Sequence, residues 1–320
     1  MVWAGFTIFG IGATCGQIGA GHAIITQTEV TTLPAAIDLC MEQIAERRLP
    51  DGGFSEHLHG LYRPDATAWA AQALARREKH RAWAVGARAA LAAGQQQDGR
   101  IALPGAPDAI WPTAAAVLAW RGDAACDQAR ERAVAFLLRT TGTHWRPSPQ
   151  SPASHDTSLR GWPWNERTHS FVDPTATALL ALDVSGHGGH ERFREAVQML
   201  LDRQLPRGGW NYGNTLVYGN ELLPFADTTG LALAALAGHV PKENIGRSLG
   251  YLKAQAATSR TPLSLAWALF GLAAWGGFPE DGPGWIEETL DRQDRFGPYA
   301  TSLLSLLALA YLTDGDIRRR

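Results

Sequence analysis

The chain has 320 residues, a net charge of −2 with histidine neutral, and an ordinary apolar fraction, which excludes a disordered chain and allows one large domain or two ordinary ones. Its basic residues are scattered, so no nucleic-acid partner is expected. Its three cysteines, Cys15, Cys40 and Cys126, form no C-x-x-C pair and no even framework, which excludes a disulfide scaffold and points to a reducing, cytoplasmic setting.

Residues 1–26 carry no Asp, Glu, Lys or Arg. Their length suits a membrane span, but they are rich in glycine and lack the basic start of a signal peptide. An N-terminal arm over 1–33 is the expectation. From about residue 34 two kinds of segment alternate six times. Segments 35–47, 80–96, 127–139, 191–203, 245–255 and 285–293 are amphipathic at helical spacing, which predicts helices with one face in water. Segments 67–74, 113–120, 175–182, 228–236, 263–275 and 301–312 are apolar nearly all round, which predicts helices buried on every side.

Strict alternation of outer and inner helices predicts an all-α fold, a closed (α/α)6 toroid over 34–313, because each pair can bury its apolar surface only against its neighbours. The links 49–54, 96–101 and 204–213 carry Asp-Gly or Gly-Gly for a tight turn and then an aromatic or aliphatic residue. Each inner segment opens in a similar way: Asp65-Ala66-Thr67, Trp111-Pro112-Thr113, Asp173-Pro174-Thr175, Asp227-Thr228-Thr229, Thr261-Pro262-Leu263 and Tyr299-Ala300-Thr301. All inner helices should therefore start at one end of the ring. The long links 140–172 and 206–226 should wall that end, and 314–320 should be a frayed, charged tail.

Asp173 is placed to be an N-cap with Pro174 at the first helical position. Twelve tryptophans imply a large core, a ring-lined cavity, or both. Trp162, Trp164, Trp210, Tyr212, Tyr218 and Phe225 fall in the two long links and read equally as packed lid or cavity wall. Trp267 and Trp275 lie on one inner helix, where at least one should be core. His187 to His190 reads as a turn between helices, not a metal site. No G-x-S-x-G and no Cys–His arrangement is present.

The D-G turns followed by D-x-T-A at a buried helix resemble the repeats of terpenoid cyclases and of protein prenyltransferase β subunits, over about residues 34–313. Squalene-hopene and other class II cyclases carry a D-x-D-D-T-A motif whose middle Asp protonates an alkene or epoxide. Phe171-Val172-Asp173-Pro174-Thr175-Ala176 is similar to it, with Asp173 on the acid and with Phe171 and Pro174 replacing the flanking aspartates. The resemblance thus implies Asp173 as catalytic acid with His169 as its partner. It implies an isoprenoid-like apolar substrate held by Trp162, Trp164, Phe171, Trp210, Tyr212, Phe225, Asp227, Asp65 and Tyr299. It also implies peripheral membrane contact, which hopene-type cyclases make. Prenyltransferases bind zinc through Asp, Cys and His. Here Thr229 stands where Cys would and the segment at Tyr299 has no His, so neither metal nor cofactor is expected. Two alternatives stay open: a toroid without chemistry that binds an apolar ligand, peptide or protein, and a carbohydrate-active (α/α)6 enzyme with paired carboxylates, Glu166 with Glu221 or Asp227.

Overall fold

The structure, a computed structural model, describes residues 35–146, 148, 151 and 154–319. The arm expected over 1–33, with Cys15, lies outside the described residues. Inner helices are α2 (Pro64–Leu74), α4 (Pro112–Ala119), α6 (Val172–Val184), α8 (Ala226–Leu236), α10 (Pro262–Ala273) and α13 (Thr301–Leu312). Outer helices are α1 (Ala36–Ala45), α3 (Arg81–Ala93), α5 (Asp127–Arg139), α7 (Glu191–Asp202), α9 (Gly246–Thr258) and α11 (Gly282–Asp291), and a short α12 (Gln293–Phe296) follows the last.

Each inner helix packs on the next in chain order, and α13 packs on α2, so the inner ring is closed. The outer helices lie against the inner ones, and α1 packs on α13 at the seam. Among the bonds that fasten that seam, Arg47 Nη1 donates to the Tyr299 carbonyl at 2.6 Å, Thr301 N to the Glu56 carbonyl at 2.9 Å, and Cys40 Sγ to the Leu304 carbonyl at 3.6 Å. The alternation read from the sequence is therefore the architecture. Inner helices are buried on every side because their residues leave no polar face to turn outward.

The recurring threonine has a structural task. Thr67, Thr113, Thr175 and Thr229 each accept, on Oγ1, the backbone N–H of the residue that follows the preceding glycine turn: Phe54, Ile101, Trp162 and Trp210, at 2.9–3.0 Å. The bond is buried and ties each of these four links to the inner helix it precedes. This explains why the apolar segments begin with a hydroxyl residue.

At α8 and α10 the helices touch through glycine. A Cβ built on Gly230 would lie 2.1 Å from the Trp267 carbonyl oxygen, and one on Gly271 would lie 2.6 Å from the Gly230 oxygen. Backbone cannot yield here. Gly230→Ala is therefore expected to destabilise the protein by about 2–3 kcal/mol in denaturant melts, despite alanine's better helix propensity.

Two local expectations change. The link before α8 folds into a hairpin, Leu216–Val217 with Asn220–Glu221, turned by Tyr218 and Gly219, both at positive φ. The tail is docked rather than frayed. Ile317 is buried, and Arg318 donates to the carbonyls of Ala234 and Ala237 and pairs with Asp183 at 3.2 Å. Arg318 thus satisfies carbonyls that the end of α8 leaves unpaired. No helix among the described residues is long and apolar enough to cross a membrane.

Candidate active site

The position two residues before each clamp threonine faces the ring axis. Asp65, Trp111, Asp173 and Asp227 occupy it in α2, in the residue before α4, in α6 and in α8, and Leu263 is the equivalent in α10. Four residues further on, one helical turn deeper, come Trp69, Ala115, Thr177, Leu231 and Trp267, with Leu303 of α13. These two layers, with Trp164 from the long link and Leu306, enclose a cavity of about 370 Å³. Two tryptophan pairs stand edge to face in its wall: Trp69 with Trp267 at 5.9 Å and Trp111 with Trp164 at 5.7 Å. Above it, Trp164, Phe171, Asp173, Tyr212, Asp227 and Leu263 line an outer vestibule of about 460 Å³.

Three carboxylates reach the cavity, and they differ. Asp65 is buried and held by Arg63, with Nε to Oδ1 at 2.9 Å and Nη2 to Oδ2 at 2.7 Å. It is a paired anion. Asp173 pairs with no cation among the described residues. It is partly exposed to the cavity, yet protein surrounds it, and its Oδ1 is buried with no hydrogen-bond partner among the described residues. Burial, then the negative charge of Asp227 on the neighbouring helix, push its pKa up to about 7. The Thr228 hydroxyl acts in the opposite sense, although it closes no hydrogen bond of ordinary geometry. At neutral pH much of Asp173 is thus a carboxylic acid, able to give a proton.

Asp173 is not an N-cap. Phe171 takes that place in α6, Asp173 is the second helical residue and Pro174 the third. Asp65 and Asp227 do not cap their helices either. The helices begin one or two residues earlier than their aspartates suggest because the clamp threonine, not the aspartate, anchors the turn. That frees Asp173 and Asp227 to face the axis.

The remaining residues divide. Trp164, Phe171, Tyr212, Asp227 and Asp65 line the cavity or vestibule. Phe225 packs on Tyr212 at 5.2 Å, at the rim. Trp162 and Trp210 do not belong to the wall. Each is fully buried, with its indole N–H on a carbonyl at an outer-helix end: Leu137 at 2.9 Å and Leu200 at 2.7 Å. They are core because they sit at the turn position that packs back between helices. Tyr299 bonds to the Thr289 carbonyl at 3.0 Å and stays outside the cavity. His169 stacks on Phe171 at 4.1 Å and lines a separate side pocket, so it does not share the cavity with Asp173. Glu166 is held by Arg100, and Glu221 by Arg207 at 3.1 Å, so neither joins Asp227 as a free carboxylate. Tyr218 is exposed on the hairpin turn. Trp69, Trp111, Thr177, Leu231, Leu263 and Leu303 were not expected in the wall, although their recurrence two residues before or two after the clamp position identifies them. Among the described residues no cluster of His, Cys, Asp and Glu is placed to hold a metal ion.

No protein-family model and no curated protein matches the chain. Solved structures do. A protein from Actinoplanes is 17% identical, with a TM-score of 0.58 over 87% of this chain and 98% of that one. The α-1,6-mannanase GH76A of Salegentibacter sp. HEL1_6, as an inactive variant with two aspartates changed to asparagine and in complex with α-1,6-mannotriose, is 12% identical, with a TM-score of 0.60 over 87% and 98%. The type II terpene cyclase MstE from Scytonema is 16% identical, with a TM-score of 0.55 over 82% and 79%. These likenesses show the toroid fold; at such identity they do not carry an activity.

Proposed function

We propose that the chain is an enzyme of the class II terpene cyclase kind, which protonates an isoprenoid-like substrate inside its ring. One observation carries this reading: a carboxyl group without a cationic partner among the described residues, with a pKa of about 7, stands in a cavity walled by tryptophan and leucine. Such a cavity offers an apolar chain what water cannot, and its volume falls near the small end of ligand pockets, about 300–1,000 Å³. Protonated Asp173 gives its proton to an alkene carbon, whose π electrons form the new C–H bond. A carbocation results at the adjacent carbon, and Asp173 becomes an anion. The ring faces of Trp69, Trp111, Trp164 and Trp267 stabilise the migrating charge. Loss of a proton from the final cation balances the step, so the overall change is an isomerisation. The exposed apolar residues Leu61, Tyr212, Leu223 and Phe225 lie on the mouth-side links and suit peripheral membrane contact.

A second reading has its own support. Asp173 and Asp227 are two carboxylates on neighbouring helices in one cavity, the pairing a glycoside hydrolase uses as acid and base. The walls argue against it, since a sugar would find few polar partners there. Incubation with geranyl, farnesyl and geranylgeranyl compounds in deuterated water tests the choice. A cyclic or isomerised product carrying deuterium is expected. Turnover of α-1,6-linked mannose chains, with no isoprenoid product, would overturn the cyclase reading, and inertness to both classes would favour a toroid that only binds.

A further inference from the structure

A second cavity, of about 430 Å³, lies beside the mouth and plays no part in that chemistry. Its wall gathers three histidines, His144, His155 and His169, and one arginine, Arg203, at the C-terminal end of α7. Arg203 is 4% exposed and His155 7% exposed, so both are at least nine-tenths buried. Arg203 Nε and Nη1, His155 Nδ1 and His144 Nε2 find no hydrogen-bond partner among the described residues. Leaving several buried polar nitrogens unpaired costs stability, and folds rarely tolerate it without a ligand or a function. Among the described residues Asp202 is the ion-pair partner of Arg203, yet its Oδ2 stands 3.7 Å from Nε, too far for a hydrogen bond, and it accepts from the backbone N–H of a second acid, Asp156, at 3.0 Å. Arg203 Nη2 reaches only the Asp156 carbonyl, at 3.2 Å. Burial draws the guanidinium down to about 10, still charged at neutral pH.

A fixed guanidinium with two free donors repels cations and recognises oxyanions, and an imidazole nitrogen beside it can donate as well when it carries the ring proton. We propose that this side pocket is a binding site for a phosphate-class oxyanion, either free or borne by a small molecule, with Arg203 and His155 as its principal donors and His144 and His169 completing the set. The site adjoins the mouth through one residue step. His169 faces the pocket, stacks on Phe171, and Phe171 lines the vestibule.

The test is calorimetric titration of the full chain with inorganic phosphate and with a prenyl diphosphate, repeated on Arg203→Gln and His155→Gln and supported by phosphorus NMR. Saturable binding is expected for the wild type. A loss of about tenfold or more is expected in Arg203→Gln and a smaller loss in His155→Gln, with helical circular dichroism retained. Tighter binding of inorganic phosphate would mark a free-anion site, and tighter binding of the prenyl diphosphate a site for an organic head group; either upholds the proposal. If Arg203→Gln fails to fold, His155→Gln decides alone. No saturable binding at about 10 mM of either probe, or wild-type affinity in His155→Gln, would overturn it.

Discussion

Asp173→Asn is expected to lower isoprenoid turnover by about a thousandfold, since a general acid supplies roughly 10²–10⁴. The amide keeps the shape of the carboxyl and its place on α6, so substrate affinity should change little. The wild-type rate should depend on pH with a definite sign. Asp173 must be protonated to act, so activity should be full below neutrality and fall as pH rises through about 7. Asp227→Asn removes a charge that raises the Asp173 pKa, so the same fall should come at lower pH. Stability follows pH in the same sense. A carboxyl whose folded pKa exceeds its ordinary 3.8 binds its proton more tightly in the fold, and its contribution is complete below 3.8 and lost as pH rises through about 7. Above pH 8, Asp173→Asn should therefore melt higher than the wild type, by on the order of 1–2 kcal/mol after allowance for relaxation around the ion. A variant at once less active and more stable is the signature of a residue kept for chemistry.

The tryptophans give the second large effect, as a contrast between two that the sequence does not tell apart. Trp210→Ala should destabilise the protein by about 3–5 kcal/mol, because it empties a fully buried site and leaves the Leu200 carbonyl without its indole donor. Trp164→Ala should cost far less stability, since its ring is only half-buried and lines the cavity. It should instead reduce turnover about 10–100-fold and alter the product mixture, as one face that steadies a cation is lost. Chemical denaturation and product analysis of both variants check this. Equal stability losses would place Trp164 in the core.

Helical periodicity carried the architecture in plain view, because a helix buried on all sides must be written in apolar residues and a half-buried one cannot be. The recurrent Asp or Trp before Thr was equally visible. Its meaning was not, since an aspartate near a helix start reads as a cap until the chain's true anchor, the threonine clamp, is seen. Trp162 and Trp164 are two residues apart, yet one is bolted to a helix end and the other faces the cavity. No local pattern separates them; the register of the turn against the outer helix does. Asp65 shows the same limit. It matches Asp173 in position and is taken out of play by Arg63, two residues away. The side pocket of histidines was the least legible, for its members come from positions 144, 155, 169 and 203 and meet only through the long link.

The most direct measurement is the titration of the Asp173 carboxyl itself, by carbon NMR of the labelled protein, with Asp173→Asn to assign the signal. A midpoint near 7, shifting downward in Asp227→Asn, is what a proton donor held in an aromatic ring of helices requires. A midpoint close to 3.8, unmoved by the loss of Asp227, would leave the cavity without an acid at neutral pH and contradict the account at its centre.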